Sequence, residues 1–411
     1  MFSLYIHIPF CVKKCNYCDF LSFSASDELK ERYVAALCDE IRLYSKDLSK
    51  DSKEIYTVFF GGGTPSLLTS GQINRIMETI HEGFRVIDKA EVSMECNPGT
   101  IKGDILRSLR ESGINRLSIG LQSAIDSELK ALGRIHDYEG FVRTYSEARD
   151  AGFDNINIDI MSGIPGQTLK TYEKTLTEAV NANPQHISAY SLIIEEGTKF
   201  ADLYGADRSV SYTNSAILPL PNEDDERRLY YMTGDILKAA GYDRYEISNY
   251  ARPGYECRHN NVYWTGGEYI GVGLGASSYF RGYRYKNTSV INEYLEDIEY
   301  ISDRDIPVCY DVFDEYKDSD YKGYCGLHDE VTFIEEKDAM EEYMFLGLRR
   351  MQGISMEGFR LKFGHFYNDI YGSETDRLIS EGLIEKDGDM IRLTPKGIDV
   401  SNSVFVRFLL D

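Results

Sequence analysis

Short β-rich runs and longer helical runs alternate along the first 195 residues, and this alternation restricts the fold more than any other feature. It is typical of βα units that build a parallel sheet. Six runs are predicted to be strands, at residues 4–8, 56–60, 92–96, 116–121, 155–161 and 186–192. Because a closed barrel of this type needs eight strands, the sequence predicts an α/β fold with an incomplete (β/α)6 barrel.

The rest of the chain divides by pattern into three further segments. Residues 1–200 are predicted to form the partial barrel, 201–300 an extension of it with a helix at 223–240 and a strand at 245–248, and 302–330 an exposed Asp- and Tyr-rich insertion. Residues 335–411 predict three helices and two short strands joined at Asp387-Gly388, a C-terminal winged-helix-like domain. Its third helix offers only Arg377 among several carboxylates, which favours packing or partner docking over DNA binding.

Charge and hydropathy exclude several partners. The 411 residues include 45 basic and 67 acidic side chains, a net charge of −22 that repels nucleic acid. No run approaches the ~18 apolar residues of a membrane helix, and no basic segment precedes an apolar run at the N-terminus. We therefore expect a cytoplasmic protein with no nucleic-acid partner and no membrane insertion.

Three of the eight cysteines crowd into one short loop after the first predicted strand. Cys11, Cys15 and Cys18 form a Cys-x3-Cys-x2-Cys spacing, which in a reducing compartment indicates metal or cluster binding. Three thiolates can hold three irons of a 4Fe-4S cluster and leave the fourth iron open. One alternative is a zinc site with His7 as a fourth ligand. The simplest alternative is that the three cysteines are unrelated buried thiols.

This loop resembles that of the radical S-adenosylmethionine (SAM) superfamily. In that superfamily SAM chelates the open iron and is cleaved, after one-electron transfer from the cluster, to methionine and a 5′-deoxyadenosyl radical. The longer segment from Tyr5 to Phe20 is similar to the branch that contains oxygen-independent coproporphyrinogen III oxidase and its relatives. The resemblance implies that a 4Fe-4S cluster is held by Cys11, Cys15 and Cys18.

The same resemblance implies a set of SAM-binding residues at the strand ends. They are Tyr5, Tyr17, Gly62, Gly63, Thr64, Glu95, Gln122, Arg134 and Asp159. The residue types suit the role, because glycines let backbone approach a ligand closely and an arginine fork suits a carboxylate. Plainer structural interpretations stay open: a tight turn for the glycines and a solvated strand end for Glu95.

A second motif distinguishes two members of that branch. The segment His259-Asn260-Asn261-Val262-Tyr263-Trp264 contains the only tryptophan and resembles the His-Asn-x-x-Tyr-Trp signature of HemW-type haem chaperones. An imidazole can ligate haem iron and aromatic rings can pack on a porphyrin. The resemblance implies haem contacts at His259, Asn260, Tyr263 and Trp264, with His259 as axial ligand. A His-Asn turn followed by two core aromatic residues is the plain alternative.

The expected function is a haem chaperone that carries a 4Fe-4S cluster and SAM and transfers haem to haem-requiring acceptor proteins. The alternative is the oxygen-independent coproporphyrinogen III oxidase, a radical SAM decarboxylase, so whether the chain is an enzyme stays open. That oxidase carries a fourth Cys where this chain has Phe20. A purely structural barrel would leave the cysteines unexplained. The resemblance also implies peripheral association with respiratory complexes and leaves a homodimer open.

Overall fold

A computed structural model describes residues 1–49, 53–101, 103–205, 217–304, 306, 308 and 327–410. Six strands pair in parallel and in chain order: β1 (Phe2–Ile8), β2 (Glu54–Gly62), β3 (Arg85–Cys96), β4 (Arg116–Gln122), β5 (Asn155–Ser162) and β6 (His186–Ser191). The helices between them are α1 (Asp27–Asp47), α2 (Ser70–Gly83), α3 (Gly103–Glu111), α4 (Asp126–Ala131), α5 (Tyr138–Asp150) and α6 (Leu169–Asn181). The predicted α/β fold with an incomplete barrel is confirmed.

The barrel stays open because other strands occupy both of its edges. The next elements are α7 (Lys199–Tyr204), α8 (Glu223–Ala239), β7 (Asp243–Arg244), β8 (Asn249–Ala251), α9 (Arg258–Trp264), β9 (Tyr269–Val272), β10 (Ser277–Phe280), β11 (Tyr283–Asn287), α10 (Ile291–Arg304) and β12 (His328–Phe333). Strand β9 pairs in parallel with β1, and β8 pairs antiparallel with β6. A 12-stranded sheet therefore replaces a closed ring.

The strand predicted at residues 245–248 is wrong. These residues form the turn between β7 and β8, where Glu246 points inward and its Oε1 accepts from Ser248 N at 2.8 Å and Asn249 Nδ2 at 2.5 Å. A side chain that bonds its own backbone two residues ahead favours a turn over a strand ladder. Most of the predicted insertion at 302–330 lies outside the described residues.

The C-terminal residues form a second unit with its own core. It contains α11 (Glu336–Gly347), β13 (Ile354–Ser355), α12 (Met356–Phe363), α13 (Tyr367–Ser380), β14 (Ile384–Asp387), β15 (Met390–Leu393), α14 (Pro395–Asp399) and α15 (Ser401–Val406). Met344, Phe359, Leu378 and Ile391 are fully buried in its cluster. The winged-helix-like module predicted here is confirmed. We call it the C-terminal module.

Side chains cap the first helices of the barrel. Ser26 accepts from Leu29 N at 3.2 Å at the start of α1. At α2 the cap is Thr69, whose side chain forms a reciprocal capping box with Gln72, and Ser70 is the first helical residue. No helix among these described residues is long and apolar enough to cross a bilayer.

One buried carboxylate joins α1 to the barrel extension. Glu40 is fully buried and accepts from Gly273 N at 2.8 Å, Asn287 Nδ2 at 2.7 Å and Tyr294 OH at 2.6 Å. Burial raises the pKa of Glu40 to about 7, against the opposing effect of these three donors. This network fixes the turn that follows β9 and hence the extra parallel strand beside β1.

We predict that Glu40→Ala lowers the free energy of unfolding by about 2–4 kcal/mol, because three buried donors lose their acceptor. Urea unfolding monitored by circular dichroism measures it. Asp39→Ala on the same helix, where Asp39 is half-exposed and paired with Arg42, should change it by less than about 0.5 kcal/mol. Equal effects of the two substitutions would contradict a structural role for the network.

Candidate cofactor site and the cavities around α9

The cysteine loop follows β1 and is anchored at both ends. Cys11 N donates to Phe23 O at 2.9 Å, and Phe23 N donates to Pro9 O at 2.9 Å. Asn16 reaches across to the segment after α4, where its backbone and side-chain N–H groups donate to Leu132 O and Ala131 O, each at 2.9 Å. The loop therefore holds its three thiols at the carboxyl end of the barrel strands.

All three thiols open into one cavity of about 460 Å³. Thr64 Oγ1 lies 3.5 Å from Cys11 Sγ, and Arg134 Nη1 lies 3.7 Å from Cys15 Sγ. Burial raises the pKa of the Cys18 thiol to about 11. A cation and a hydroxyl therefore lie next to the sulfur atoms that line the cavity.

His7 does not join the thiols. Its Nε2 is 3.0 Å from Leu21 O and its Nδ1 is 3.1 Å from Tyr5 OH, so both ring nitrogens are engaged. It does not line the cavity that the cysteines line. Within the described ranges, no group of three His, Cys, Asp or Glu side chains is arranged to hold a single metal ion. The geometry of His7 disfavours the zinc alternative.

Gly62 and Gly63 form a wall of bare backbone beside the thiols. Gly62 has φ +110°, and a Cβ added there would lie 2.5 Å from the His7 ring. A Cβ at Gly63 would lie 2.7 Å from Phe10 O. Only glycine fits both positions. Gly62 N donates to Glu95 Oε2 at 3.1 Å, which orients that carboxylate from the next strand.

Two carboxylates enclosed in the cavity have no cationic partner at ion-pair distance among the described residues. Burial, with the nearby charge of Asp159 as a smaller cause, raises the pKa of Glu95 to about 8. Burial also raises the pKa of Asp159, although Asn157 Nδ2 at 2.8 Å and Ser118 Oγ at 3.0 Å donate to it. The charge of Arg116 lowers the pKa of both carboxylates, but burial outweighs it. Buried carboxylates in this state suit a ligand that brings positive charge and hydroxyl donors.

Arg134 complements these carboxylates from another wall. Its Nη2 donates to Asn97 Oδ1 at 2.6 Å and to Gly120 O at 3.1 Å, while its buried Nε has no partner among the described residues. Gln122, with φ +64°, ends β4 beside it. An unpartnered guanidinium N–H in a cavity is available to a ligand carboxylate.

The structure brings together nearly all of the residues singled out from the sequence. The cavity is lined by Tyr5, Cys11, Cys15, Tyr17, Cys18, Gly62, Gly63, Thr64, Glu95, Gln122, Arg134, Asp159, His259, Asn260 and Tyr263. Trp264 is not among them. The role of each residue stays a prediction, but their common location is a property of the fold.

Sequence reasoning missed several cavity residues. Arg116, Asn97, Ser118 and Asn157 also line it. Arg116 and Asn157 are polar positions inside otherwise apolar strands and are almost fully buried. A polar residue inside an apolar strand is costly to bury unless it binds something, and this pattern in the sequence could have identified both residues.

The motif His-Asn-x-x-Tyr-Trp forms helix α9 and not a turn. His259 is 1% exposed, with Nδ1 2.7 Å from Thr57 Oγ1 and Nε2 2.9 Å from Tyr263 OH. Its ring stacks on Phe59 at 5.1 Å. Burial lowers the pKa of His259 to about 3, so the imidazole is neutral. Iron ligation by Nε2 would require Tyr263 to release it, and the axial role stays a prediction.

Trp264 faces the C-terminal module instead of the cofactor cavity. The Arg349 guanidinium lies 4.6 Å from the centre of its ring. Arg349 Nη2 is 4.0 Å from Glu246 Oε2. The last residue of the motif therefore contacts the module that follows it in sequence.

The fold and this cavity define a radical SAM protein. Residues 5–179 match the Radical SAM superfamily, and residues 334–400 match the HemN C-terminal domain. The chain resembles the structure of coproporphyrinogen III oxidase (HemN) from Escherichia coli with a TM-score of 0.80 at 22% identity, covering 99% of this chain and 90% of that one. At that identity the likeness shows the fold.

Comparison with curated sequences gives the family within that class. The chain is 33% identical to heme chaperone HemW of Lactococcus lactis over 409 residues, which is 100% of this chain and 97% of that protein. It is 35% identical to heme chaperone HemW of Bacillus subtilis over 411 residues, 100% of this chain and 99% of that protein. The chain therefore belongs to the HemW family of the radical SAM superfamily.

We predict that Glu95→Gln stabilises the ligand-free protein at pH 8 but not at pH 5. The folded-state pKa of about 8 exceeds the unfolded value, so the wild type loses stability as pH rises from about 4.5 through 8. The amide avoids that loss, and we expect its thermal midpoint to be higher by roughly 2 °C or more at pH 8.

Thermal unfolding at pH 5 and pH 8 measures the effect. Glu139→Gln on α5, where Glu139 is exposed, serves as the control and should show no pH-dependent difference from the wild type. A Glu95→Gln variant that is equally or less stable at pH 8 would show that Glu95 is compensated within the protein.

Proposed function

We propose that this protein binds haem and transfers it to haem-requiring acceptor proteins, and that it carries a 4Fe-4S cluster and SAM. Full-length similarity to proteins named heme chaperone HemW supports the first part. The observation that carries the second part is one cavity with three cysteine thiols and two buried carboxylates whose pKa values are raised. The motif helix α9 forms a wall of that cavity.

The thiols of Cys11, Cys15 and Cys18 fit a cluster with one open iron, because they come from one loop and face one cavity. When bound, such a cluster supplies single electrons. Arg134 Nη1 lies 3.7 Å from Cys15 Sγ, which places a cation beside the cysteine loop.

The other walls suit SAM. Glu95 and Asp159 can accept hydrogen bonds from its amino group and ribose hydroxyls, and Arg134 Nε can donate to its carboxylate. The bare backbone at Gly62 and Gly63 allows close approach. Tyr5, Tyr17, Thr64 and Gln122 line the remaining walls of the cavity.

Coproporphyrinogen III oxidase remains the second candidate function, because the whole cofactor cavity is retained. Phe20 stands where that enzyme has its fourth Cys, and its side chain lines the cavity with 61% of the residue exposed. This residue supplies no thiolate. The chaperone proposal therefore stands first.

We further propose that the protein acts in the cytoplasm, where thiols stay reduced, in peripheral association with respiratory complexes and as a homodimer. Haem and its acceptor proteins are the proposed partners. The acidic chain, at −22, suits basic surfaces on such acceptors.

We predict that Cys15→Ala loses most of the iron and sulfide of the anaerobically reconstituted protein and its absorption near 400 nm, because two thiolates cannot hold the cluster. Cys38→Ala, which removes a buried thiol of α1 outside the cavity, should retain both. Metal analysis and absorption spectroscopy measure the outcome. Equal iron in both variants would contradict the cluster assignment.

We predict that the reconstituted wild type binds one equivalent of haemin, with a saturable Soret shift, and releases no CO₂ from coproporphyrinogen III in the presence of SAM and a reductant. An anaerobic haemin titration and a decarboxylation assay measure these two results. Decarboxylation without saturable haemin binding would establish the oxidase instead. The Cys15→Ala variant is the control for cluster-dependent turnover.

A further inference from the structure

A second cavity, of about 790 Å³, lies on the other face of α9. His259, Asn260 and Tyr263 face the cofactor cavity, whereas Arg258 and Asn261 line the second one. Successive helical positions point to different sides of a helix, so α9 separates the two spaces. The second cavity is closed by residues 350–352, which follow α11 of the C-terminal module.

This second cavity is basic although the protein is strongly acidic. Arg244, Arg258 and Arg350 line it, with Glu256 as the single carboxylate among its lining residues. In the part of the chain that the structure describes, none of the three arginines has a carboxylate within ion-pair distance. Guanidinium groups without carboxylate partners, concentrated in a chain of net charge −22, favour binding of an anion.

The arginines are held in place by neutral groups. Arg258 Nε donates to Tyr56 OH at 3.0 Å, and its guanidinium lies 4.2 Å from the centre of the Tyr56 ring. The Gln352 side-chain oxygen, in the amide orientation that satisfies both groups, accepts from Arg350 Nη1 at 3.0 Å. Such contacts orient a guanidinium but leave its charge available to a ligand.

We propose that this arginine-lined cavity binds the haem cargo through its two propionate carboxylates, with Arg258 and Arg350 as the anion-binding groups. The inference rests on the proposed function and specifies where the cargo lies. A guanidinium fork matches a carboxylate in charge and geometry. The Tyr56 ring adds a flat aromatic wall of the kind that packs on a porphyrin.

Two observations on the cofactor cavity favour this placement. That cavity must hold SAM beside the cluster that we propose there, whereas none of the residues assigned to those two groups lines the second cavity. Both ring nitrogens of His259 are hydrogen-bonded within the protein. His259 then acts as a positioning residue that holds α9 against Thr57 of β2. Because Arg350 follows α11, the C-terminal module supplies one of the two anion-binding groups.

The test is an anaerobic haemin titration of the full-length reconstituted chain. Binding is monitored through the Soret band and through quenching of the fluorescence of Trp264, the only tryptophan. Arg258→Gln and Arg350→Gln should each weaken haemin binding about tenfold or more, because each removes a charge-assisted contact. Arg228→Gln, at an exposed position on α8, should bind like the wild type. Haemin dimethyl ester, whose carboxylates are masked, should bind the wild type as weakly as haemin binds the Arg258 and Arg350 variants.

Arg350→Lys separates charge from folding, since it keeps the cation and should bind haemin more tightly than Arg350→Gln. A different result would place the cargo in the cofactor cavity: the arginine variants bind haemin as tightly as the wild type does, the wild type binds the ester as tightly as haemin, and His259→Ala loses the Soret shift. The placement is then wrong and the proposed function stands. If the wild type binds no haemin and decarboxylates coproporphyrinogen, both are wrong.

Discussion

The site depends on parallel strand pairing, which brings the carboxyl ends of β1 to β6 to one edge of the sheet. Cys11 follows β1, Gly62 ends β2, Glu95 lies at the end of β3 and Asp159 lies in β5. These residues are up to about 150 positions apart in the sequence, yet they line one cavity. A shift of one residue in the register of any strand would turn its polar side chain to the opposite face of the sheet.

The second property of the site is its unbalanced charge. The thiols, Glu95 and Asp159 are confined together, and burial raises the pKa of Cys18 and of both carboxylates. Enclosed groups in this state destabilise the protein and would be compensated by the cationic assembly that we propose for this cavity. The Arg116 guanidinium offsets part of the rise in pKa of both carboxylates, and among the described residues Arg134 keeps a buried Nε–H without a partner.

Helix α9 connects this site to the C-terminal module. It packs on β2 through the contact between His259 and Thr57. One face of the helix lines the cofactor cavity, and the other face lines the arginine-lined cavity. Its last residue, Trp264, contacts Arg349. One short helix therefore couples the two binding sites that we propose with the module that closes the second of them.

The sequence by itself determined the βα order, the cysteine loop and most strand-end residues, because periodicity and Cys spacing are local properties that packing preserves. It missed that residues 258–264 are helical and that residues 245–248 are a turn, since buried side-chain bonds of His259 and Glu246 decide both. Only the tertiary structure decided which cavity each face of α9 lines. Arg350 lies about 90 positions from Arg258, and no local pattern shows that long-range packing places them in one cavity.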